Sequence, residues 1–234
     1  KGVHPAGNVG VQIHKLDPIN RGERVWTVGV EDVAIIGNVF LTGEYRAERT
    51  VAVVGSEAEN RKYYQTIIGS NVTDLIGQVA EGTRIISGDV FTGTQLSNNQ
   101  YLGFFENELT LIPEGDNYRI FGWLPFTYNN IHSHSRTSLS WLFPNKKYTP
   151  TTNLNGEERA LVVTGEMEEV LPMDIYPMQL IKACMAGDIE KMENLGIYEV
   201  APEDFATVEY VNTSKIEIQE VIRLGLDLMI TEVG

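Results

Sequence analysis

The last eighty residues carry a regular series of helix start and stop signals, and this punctuation constrains the fold more than any other feature of the chain. The start signals are an acid, a proline or a serine, and the stop signals are glycines: Asp174, Gly187, Asp188, Gly196, Pro202, Ser214 and Glu217. The segments between these signals carry apolar residues at helical spacing. Four short helices joined by short links predict an antiparallel bundle.

Earlier in the chain, short β-branched runs replace the helical pattern. Strands are predicted at 50–55 and 84–88, with a short helix between them at about 71–76. Further strands are predicted at three places: 101–105, 108–112 and 118–124. A strand at 25–30 and a helix that begins at Glu31 and stops at Gly43 predict half of an α/β unit near the start.

Composition excludes several classes of function. The net charge is −14, and from Glu157 onward 17 acids face 5 bases. Without a Lys/Arg patch, nucleic acid is not an expected partner. The acidic half is either a solvated helical surface, which we favour, or a docking face for a basic partner.

No apolar run reaches the roughly 18 residues of a membrane span. The single cysteine, Cys184, excludes an internal disulfide, and Lys1 in place of methionine indicates a piece of a larger protein.

Residues 125–155 form a long irregular segment rich in Asn, Ser, Thr and Pro. Segments of this length usually bind a partner or contribute to function. His132 and His134 have an H-x-H spacing, but two ligands leave a metal site incomplete, so loop histidines are favoured. No metal site is predicted.

Several motifs resemble one family, the A subunits of sodium-translocating NADH:quinone reductases, which are related to the C subunits of Rnf complexes and to the large flavin subunit of complex I. The motifs lie at 2–7, 13–18, 154–160, 171–173, 177–180, 186–188, 195–196 and 214–216. The resemblance implies an α+β protein with four parts. These are the end of a Rossmann-like domain at 1–45, a soluble-ligand-binding β-grasp (SLBB-like) module with associated strands at 46–124, the irregular segment at 125–155, and a helical domain at 156–234.

The helical domain resembles a ferredoxin-type domain that lacks its clusters. A bacterial cluster run is C-x2-C-x2-C-x3-C-P, and its register on this chain places no cysteine at any ligand position. The eight positions hold Leu161, Thr164, Met167, Leu171, Pro202, Phe205, Val208 and Asn212. Because these side chains supply no thiolate, we interpret them as packing residues. Five of them are predicted to form two small apolar clusters: Leu161, Met167, Leu171, Phe205 and Val208.

The resemblance also implies a function. It indicates a peripheral subunit on the cytoplasmic face of the bacterial inner membrane that oxidises nothing by itself. In that family, NADH, flavin and iron–sulfur groups belong to other subunits, the membrane-embedded B subunit is the expected contact, and ubiquinone is a possible substrate of the complex. If quinone contacts this chain, aromatic and donor side chains of the irregular segment are its predicted neighbours: Trp123, Phe126, Tyr128, Arg136 and Trp141.

Two other classes of function stay open. A free-standing β-grasp module that binds a ligand or a partner would need no catalytic residues. An autonomous enzyme would need converging groups, and the raw material is ordinary: Glu168 with Glu169, His4 with Asp17, or His134 with Ser135. Surface and loop roles are favoured for all of these residues, and no catalytic residue is assigned.

Overall fold

The computed structural model describes residues 2–97, 99–115, 117–122, 124 and 140–233. The chain divides into two compact units, one formed by Lys1–Gly29 with Gly156–Gly234 and the other by Val30–Asn155. We call them the helical unit and the sheet unit. The first division falls between residues 29 and 30, inside the segment 1–45 that the sequence treats as one piece.

Seven α-helices and five β-strands are present among the described residues. In chain order they are α1 Val9–Leu16, α2 Val30–Thr42, β1 Glu48–Val54, β2 Lys62–Ile67, α3 Val72–Ile76, β3 Thr83–Ser87, β4 Thr94–Leu96, β5 Glu108–Pro113, α4 Pro177–Ala186, α5 Ile189–Asn194, α6 Ala206–Val211 and α7 Ile218–Val233. Short 3-10 helices lie at Ser140–Leu142, Ile197–Glu199 and Pro202–Phe205.

Some of the predicted helix signals act as expected. Gly187 ends α4 in the left-handed conformation, with φ of 63°, and the Asp188 side chain accepts a hydrogen bond from the Lys191 amide (3.1 Å) at the start of α5. Gly43 follows α2 with φ of 74°. These positions were predictable because a cap acts within a few residues of its own place in the chain.

Two predicted start signals are wrong. Tyr176, not Asp174, is the N-cap of α4. The box expected from Ser214 and Glu217 does not form, because the Ser214 hydroxyl donates to the Ala160 carbonyl (3.0 Å). The amide of Gln219 in the first turn of α7 instead donates to the Glu209 carboxylate (2.7 Å), which lies on α6. A partner from another helix has replaced the local cap.

One apolar core holds the helical unit together. The stripe predicted on α7 faces this core, with Ile218, Ile222 and Met229 buried. Gly225, between them, allows α4 to approach closely: a Cβ at this position would lie 2.6 Å from Cys184 Sγ. Fully burying one aliphatic side chain contributes about 1.5–3 kcal/mol, so this core is the main source of stability for the unit.

The N-terminal prediction needs correction. Residues 9–16, for which no helix was predicted, form α1 and pack in the helical unit. Residues 25–29, expected to be part of a strand, have no regular structure, and Trp26 is 91% exposed. A strand requires a hydrogen-bonded neighbour, and none is present there among the described residues. The helix expected after it exists as α2.

The five strands form one mixed sheet in the order β2-β1-β5-β3-β4. β1 and β5 are parallel in the centre, and the other neighbours are antiparallel. β1, β3, β5 and the short helix α3 confirm the predicted elements, and Asn71 caps α3 by accepting from the Thr73 amide (2.8 Å). The α+β class is as predicted, and the ferredoxin-like detail of the helical unit is not confirmed.

The sequence analysis did not predict β2 and β4, which lie at the two edges of the sheet.

Two predicted strands are wrong. At 101–105, Tyr101 forms only an isolated bridge with Asn71, and the chain then turns at Gly103. At 118–124 the described residues turn instead, with a hydrogen bond from Gly122 to Arg119 and Phe121 at φ of 55°. Local β propensity favoured these segments, but neither has a strand partner among the residues that the structure describes.

α3 covers one face of the sheet. Val51 and Val53 of β1 pack there with Leu109 and Leu111 of β5. α2 contrasts with α3, because none of its residues is buried. Its exposed apolar side chains are Val30, Val33, Ile36, Val39, Phe40 and Leu41.

Candidate functional site

The apolar residues at the cluster-like positions lie in the core of the helical unit. Met167, Leu171, Phe205 and Val208 are all buried, and half-buried Leu161 packs against the same core. They belong to one continuous cluster, so the prediction of two separate clusters is wrong. The first three of these residues in the chain belong to the non-helical segment before α4 and the last two to the helical segments before α7, and both groups share a single interior.

The other cluster-like positions are not alike. Thr164 is exposed, and Pro202 is a buried first residue of a 3-10 helix. Asn212 is buried and holds the turn between α6 and α7: its Oδ1 accepts from the Ser214 amide (2.9 Å), and its Nδ2 donates to the Ile216 carbonyl (3.3 Å). A buried amide with both ends hydrogen-bonded has a structural role in this turn.

Docking of α1 is the feature of the helical unit that the sequence did not indicate. The carboxyl group of Asp204 is 1% exposed and lies directly against Gly10, where a Cβ would be 1.9 Å from Oδ2. Oδ2 accepts from the Ala201 amide (3.0 Å), and the Asn8 side chain donates to the Glu203 carbonyl (3.0 Å). A carboxylate near the first turn of a helix interacts favourably with its exposed amides. The C-terminal tract thus supplies the polar contacts at the start of α1.

Burial raises the pKa of Asp204. Hydrogen bonds with the Ala201 amide, the Val11 amide and the Asn8 side chain lower the pKa, and the nearby Glu203 charge raises it further. Desolvation outweighs these stabilising dipoles because the carboxyl group is almost fully enclosed. The protonation state of this carboxyl group is therefore coupled to the packing of α1.

The other end of α1 is held by His14, whose side chain is 8% exposed. Its Nε2 accepts from the Asp174 amide (3.1 Å), and its Nδ1 lies 2.9 Å from Glu199 Oε2. Val11 is the one buried residue of α1, so polar contacts at its two ends contribute much of its attachment.

In the sheet unit, a nearly buried guanidinium links three elements. Arg49 on β1 is 4% exposed and pairs with Asp32 of α2, while its Nη1 donates to the Phe104 carbonyl (2.7 Å). Glu31 lies 3.6 Å from Arg49 Nε. The nearby Glu106 carboxyl group has a raised pKa, first because of burial and then because of the charges of Asp89 and Glu108, with Arg49 acting in the opposite direction. Arg49 therefore anchors α2 by charge, while the apolar side of that helix stays exposed.

The residues predicted to lie near quinone are not brought together by any described contact. Trp123, Phe126, Tyr128 and Arg136 lie outside the described residues, as do His132 and His134. Trp141 lies in the 3-10 helix Ser140–Leu142 and is 56% exposed.

Few signals in the sequence pointed to His14, Asp204 and Gly10. Asp204 follows Pro202 at a helix start, and it caps its own 3-10 helix, since the Ala201 amide donates to it. Its second partner lies almost two hundred residues away, and no local pattern encodes such a pair. Gly10 carries no signal in the sequence, although it lies directly against the Asp204 carboxyl group.

No group of three or more His, Cys, Asp or Glu side chains is arranged to hold a metal ion within the described part of the chain. Among the same residues, no helix combines the length and the hydropathy needed to cross a bilayer.

Comparison with known proteins identifies what the chain resembles. Residues 1–45 match the family model described as the NqrA second alpha/beta domain, and residues 50–98 match the SLBB model described as the NQRA C-terminal domain. The second match covers most of β1 and all of β2, α3, β3 and β4.

Full-length relatives give the same result. The chain is 39% identical over 228 residues to the A subunit of the Na(+)-translocating NADH-quinone reductase of Cellvibrio japonicus, covering 96% of this chain and 51% of that protein. It is 37% identical over 233 residues to the protein of the same name from Saccharophagus degradans, with coverages of 96% and 51%. For the protein of that name from Yersinia pestis strain Angola the values are 37% over 225 residues, 95% and 50%. The chain thus spans about half the length of these relatives.

Proposed function

The chain is a homologue of the A subunit of the Na(+)-translocating NADH-quinone reductase, and on this premise we propose that it forms part of a peripheral subunit of a sodium-pumping NADH:quinone oxidoreductase. The observation that carries the proposal is the identity of 37–39% over at least 95% of the chain. Identity at this level, spread over both units, favours a shared role over a shared fold alone. A free-standing β-grasp module is not favoured, because the relatives also contain the helical unit.

Within such a complex, we propose that this chain contributes to assembly and carries no redox cofactor. Five of the eight cluster-like positions support this role, because their apolar side chains pack in or against one core and supply no thiolate. NADH, flavin and iron–sulfur groups would then belong to other subunits.

We further propose that residues 1–45 belong to an α/β domain. The exposed apolar side of α2 supports this assignment, because helices of α/β domains bury such a side against a sheet. Exposed contiguous apolar surface of this kind is rare in isolated soluble proteins.

The expected location is the cytoplasmic face of the bacterial inner membrane, with attachment through the membrane-embedded B subunit. The acidic helical unit supports attachment through protein rather than lipid. Anionic headgroups repel its residues 157–234, which carry 17 acids and 5 bases, whereas the cytoplasmic loops of membrane proteins are rich in Lys and Arg.

Affinity isolation tests this function. A tag on the natural protein that contains this sequence, isolated from gently solubilised membranes of its host, is expected to recover the remaining subunits and sodium-stimulated NADH:quinone activity. The control is the same tag on an unrelated peripheral protein. Recovery of the tagged protein alone, with unchanged membrane activity after deletion of its gene, would contradict the proposal.

Ubiquinone contact is the finer proposal, assigned to Trp123, Phe126, Tyr128, Arg136 and Trp141. Saturation-transfer NMR with a short-chain quinone should show transfer to the ligand that Trp141→Ala and Arg136→Ala each reduce. Leu142→Ala is a matched control beside Trp141. No transfer, or transfer that both variants leave unchanged, would remove this assignment while leaving the proposed role in the complex intact.

A further inference from the structure

We propose that the sheet unit binds a small ring-bearing organic amine in a cavity of about 400 Å³ beside α3. The cavity lies between the loop that joins β1 to β2 and the segment that follows α3. Its size falls within the range of about 300–1,000 Å³ that is typical of small-molecule sites. This inference does not depend on the proposed function.

The floor of the cavity is apolar. Val53 of β1, Leu75 of α3 and Leu111 of β5 line it, and each is at most 8% exposed. Ala58 and Val79 add apolar surface at the sides. Because these side chains belong to the core of the sheet unit, a ring that covers them would be desolvated without any rearrangement of the fold.

The rim is rich in hydrogen-bond acceptors. Glu57 and Glu59 are exposed carboxylates on the β1–β2 loop, and Asn60 and Gln78 add amide groups. Ionised carboxylates only accept hydrogen bonds, so they favour a ligand that donates. The lining contains no lysine or arginine, which disfavours phosphates and carboxylates as ligands.

The two cations that follow the β1–β2 loop contact other groups. Arg61 donates to the carbonyls of Gly55 (2.8 Å) and Ser56 (3.3 Å). Lys62 Nζ lies 4.7 Å from the ring centroid of Tyr64, which itself lines the cavity. Because this ammonium group already occupies one face of the ring, Tyr64 contributes only aromatic contact surface to the cavity. Together, an apolar floor, an acceptor-rich rim and an aromatic wall match a protonated amine attached to a ring.

NMR titration of the uniformly ¹⁵N-labelled chain tests the proposal with benzylamine as the probe. Benzyl alcohol and benzoate are matched neutral and anionic controls of the same shape. Benzylamine is expected to shift the amide signals of residues 57–60 and 76–80 with saturation in the millimolar range, and benzoate to bind at least ~10-fold more weakly. Equal binding of benzoate, or shifts spread over both units, would overturn the proposal.

Variants separate the contributions of the rim and the floor. Glu57→Gln and Glu59→Gln should each weaken benzylamine binding by about 3–5-fold, as expected for an exposed charge contact, while Glu48→Gln should not. Ala80→Trp should fill the cavity and abolish binding while the remaining spectrum stays dispersed. Binding that survives Ala80→Trp, or tighter binding of N-acetyl-lysine methylamide or a short-chain quinone than of benzylamine, would refute the assignment to a small amine.

Discussion

Replacement of Gly10 by alanine is expected to loosen α1 from the helical unit. The new Cβ would lie 1.9 Å from Oδ2 and 2.6 Å from Cγ of Asp204, whereas ordinary contact begins near 3.4 Å. One group must therefore move by about 1.5 Å. Asp204 cannot turn away freely, because it is 1% exposed and accepts the Ala201 amide. We expect α1 to move instead.

Opposing free energies decide the size of the effect. Alanine is favoured over glycine inside a helix by about 0.5–1 kcal/mol. Overpacking of a closed contact costs about 1–3 kcal/mol. If α1 detaches, the unit also loses the burial of Val11, about 1.5–2 kcal/mol, and the hydrogen bond between His14 and Asp174, about 1 kcal/mol. The free energy of unfolding should fall by about 2 kcal/mol.

Urea denaturation measures this loss, and hydrogen exchange of residues 9–16 locates it. Gly37→Ala is the matched control, because it lies inside α2 with no atom within 4 Å of the new Cβ. That variant should be unchanged or slightly stabilised. In an Asp204→Ala background, Gly10→Ala should lose most of its cost, which a double-mutant cycle would report as coupling. If Gly10→Ala behaves like Gly37→Ala, the close approach of α1 and Asp204 is refuted.

Three further predictions concern ionisable groups. Burial and neighbouring acids raise the pKa of Glu106 above 4.5, so the stability that this carboxyl group contributes is lost as the pH rises through the raised pKa. Glu106→Gln should therefore raise Tm at pH 7 but not near pH 4. An equal gain in Tm at both pH values would contradict this reasoning. Hydrogen bonds from Arg84 and Thr152 lower the pKa of Glu114 from 4.5 to about 2, so its stabilisation is present above pH 4.5 and is lost as the pH falls toward 2. Because that carboxylate is 34% exposed, the loss is about 1 kcal/mol, and acid titration of Glu114→Gln should lack it. Burial raises the pKa of Cys184 to about 11, which lowers the fraction of reactive thiolate at pH 8. Iodoacetamide should therefore modify the native thiol about 100-fold more slowly than an unperturbed cysteine. Rapid labelling would disprove this.

The predictable parts of the fold were those with local causes. The α7 stripe, the Gly187 stop and the strands β1, β3 and β5 follow from periodicity and caps within a few residues. The errors arose where a partner decides the outcome. Residues 101–105 have strand propensity but only one bridge, and the edge strand β2 pairs with β1 despite a weak pattern of its own.

The candidate site was predictable only in part. Burial of Met167, Leu171, Phe205 and Val208 agrees with a packing role at positions where related proteins were expected to hold metal. The sequence did not predict that these four side chains pack in one core. The prediction of two apolar clusters came from the spacing of iron–sulfur ligands, and this chain has no cysteine at those positions. The aromatic residues selected around Trp141 rested on composition alone.

The sequence by itself determined the α+β fold class, the absence of an internal disulfide, the uneven distribution of charge and the positions of most helices in the last eighty residues. These properties depend on composition or on neighbours along the chain. Only the tertiary structure decided that α1 joins the C-terminal tract, that Glu209 caps α7, and that Asp204 lies against Gly10. Such contacts join residues far apart in sequence, and their free energy depends on three-dimensional proximity and burial, which no local pattern encodes.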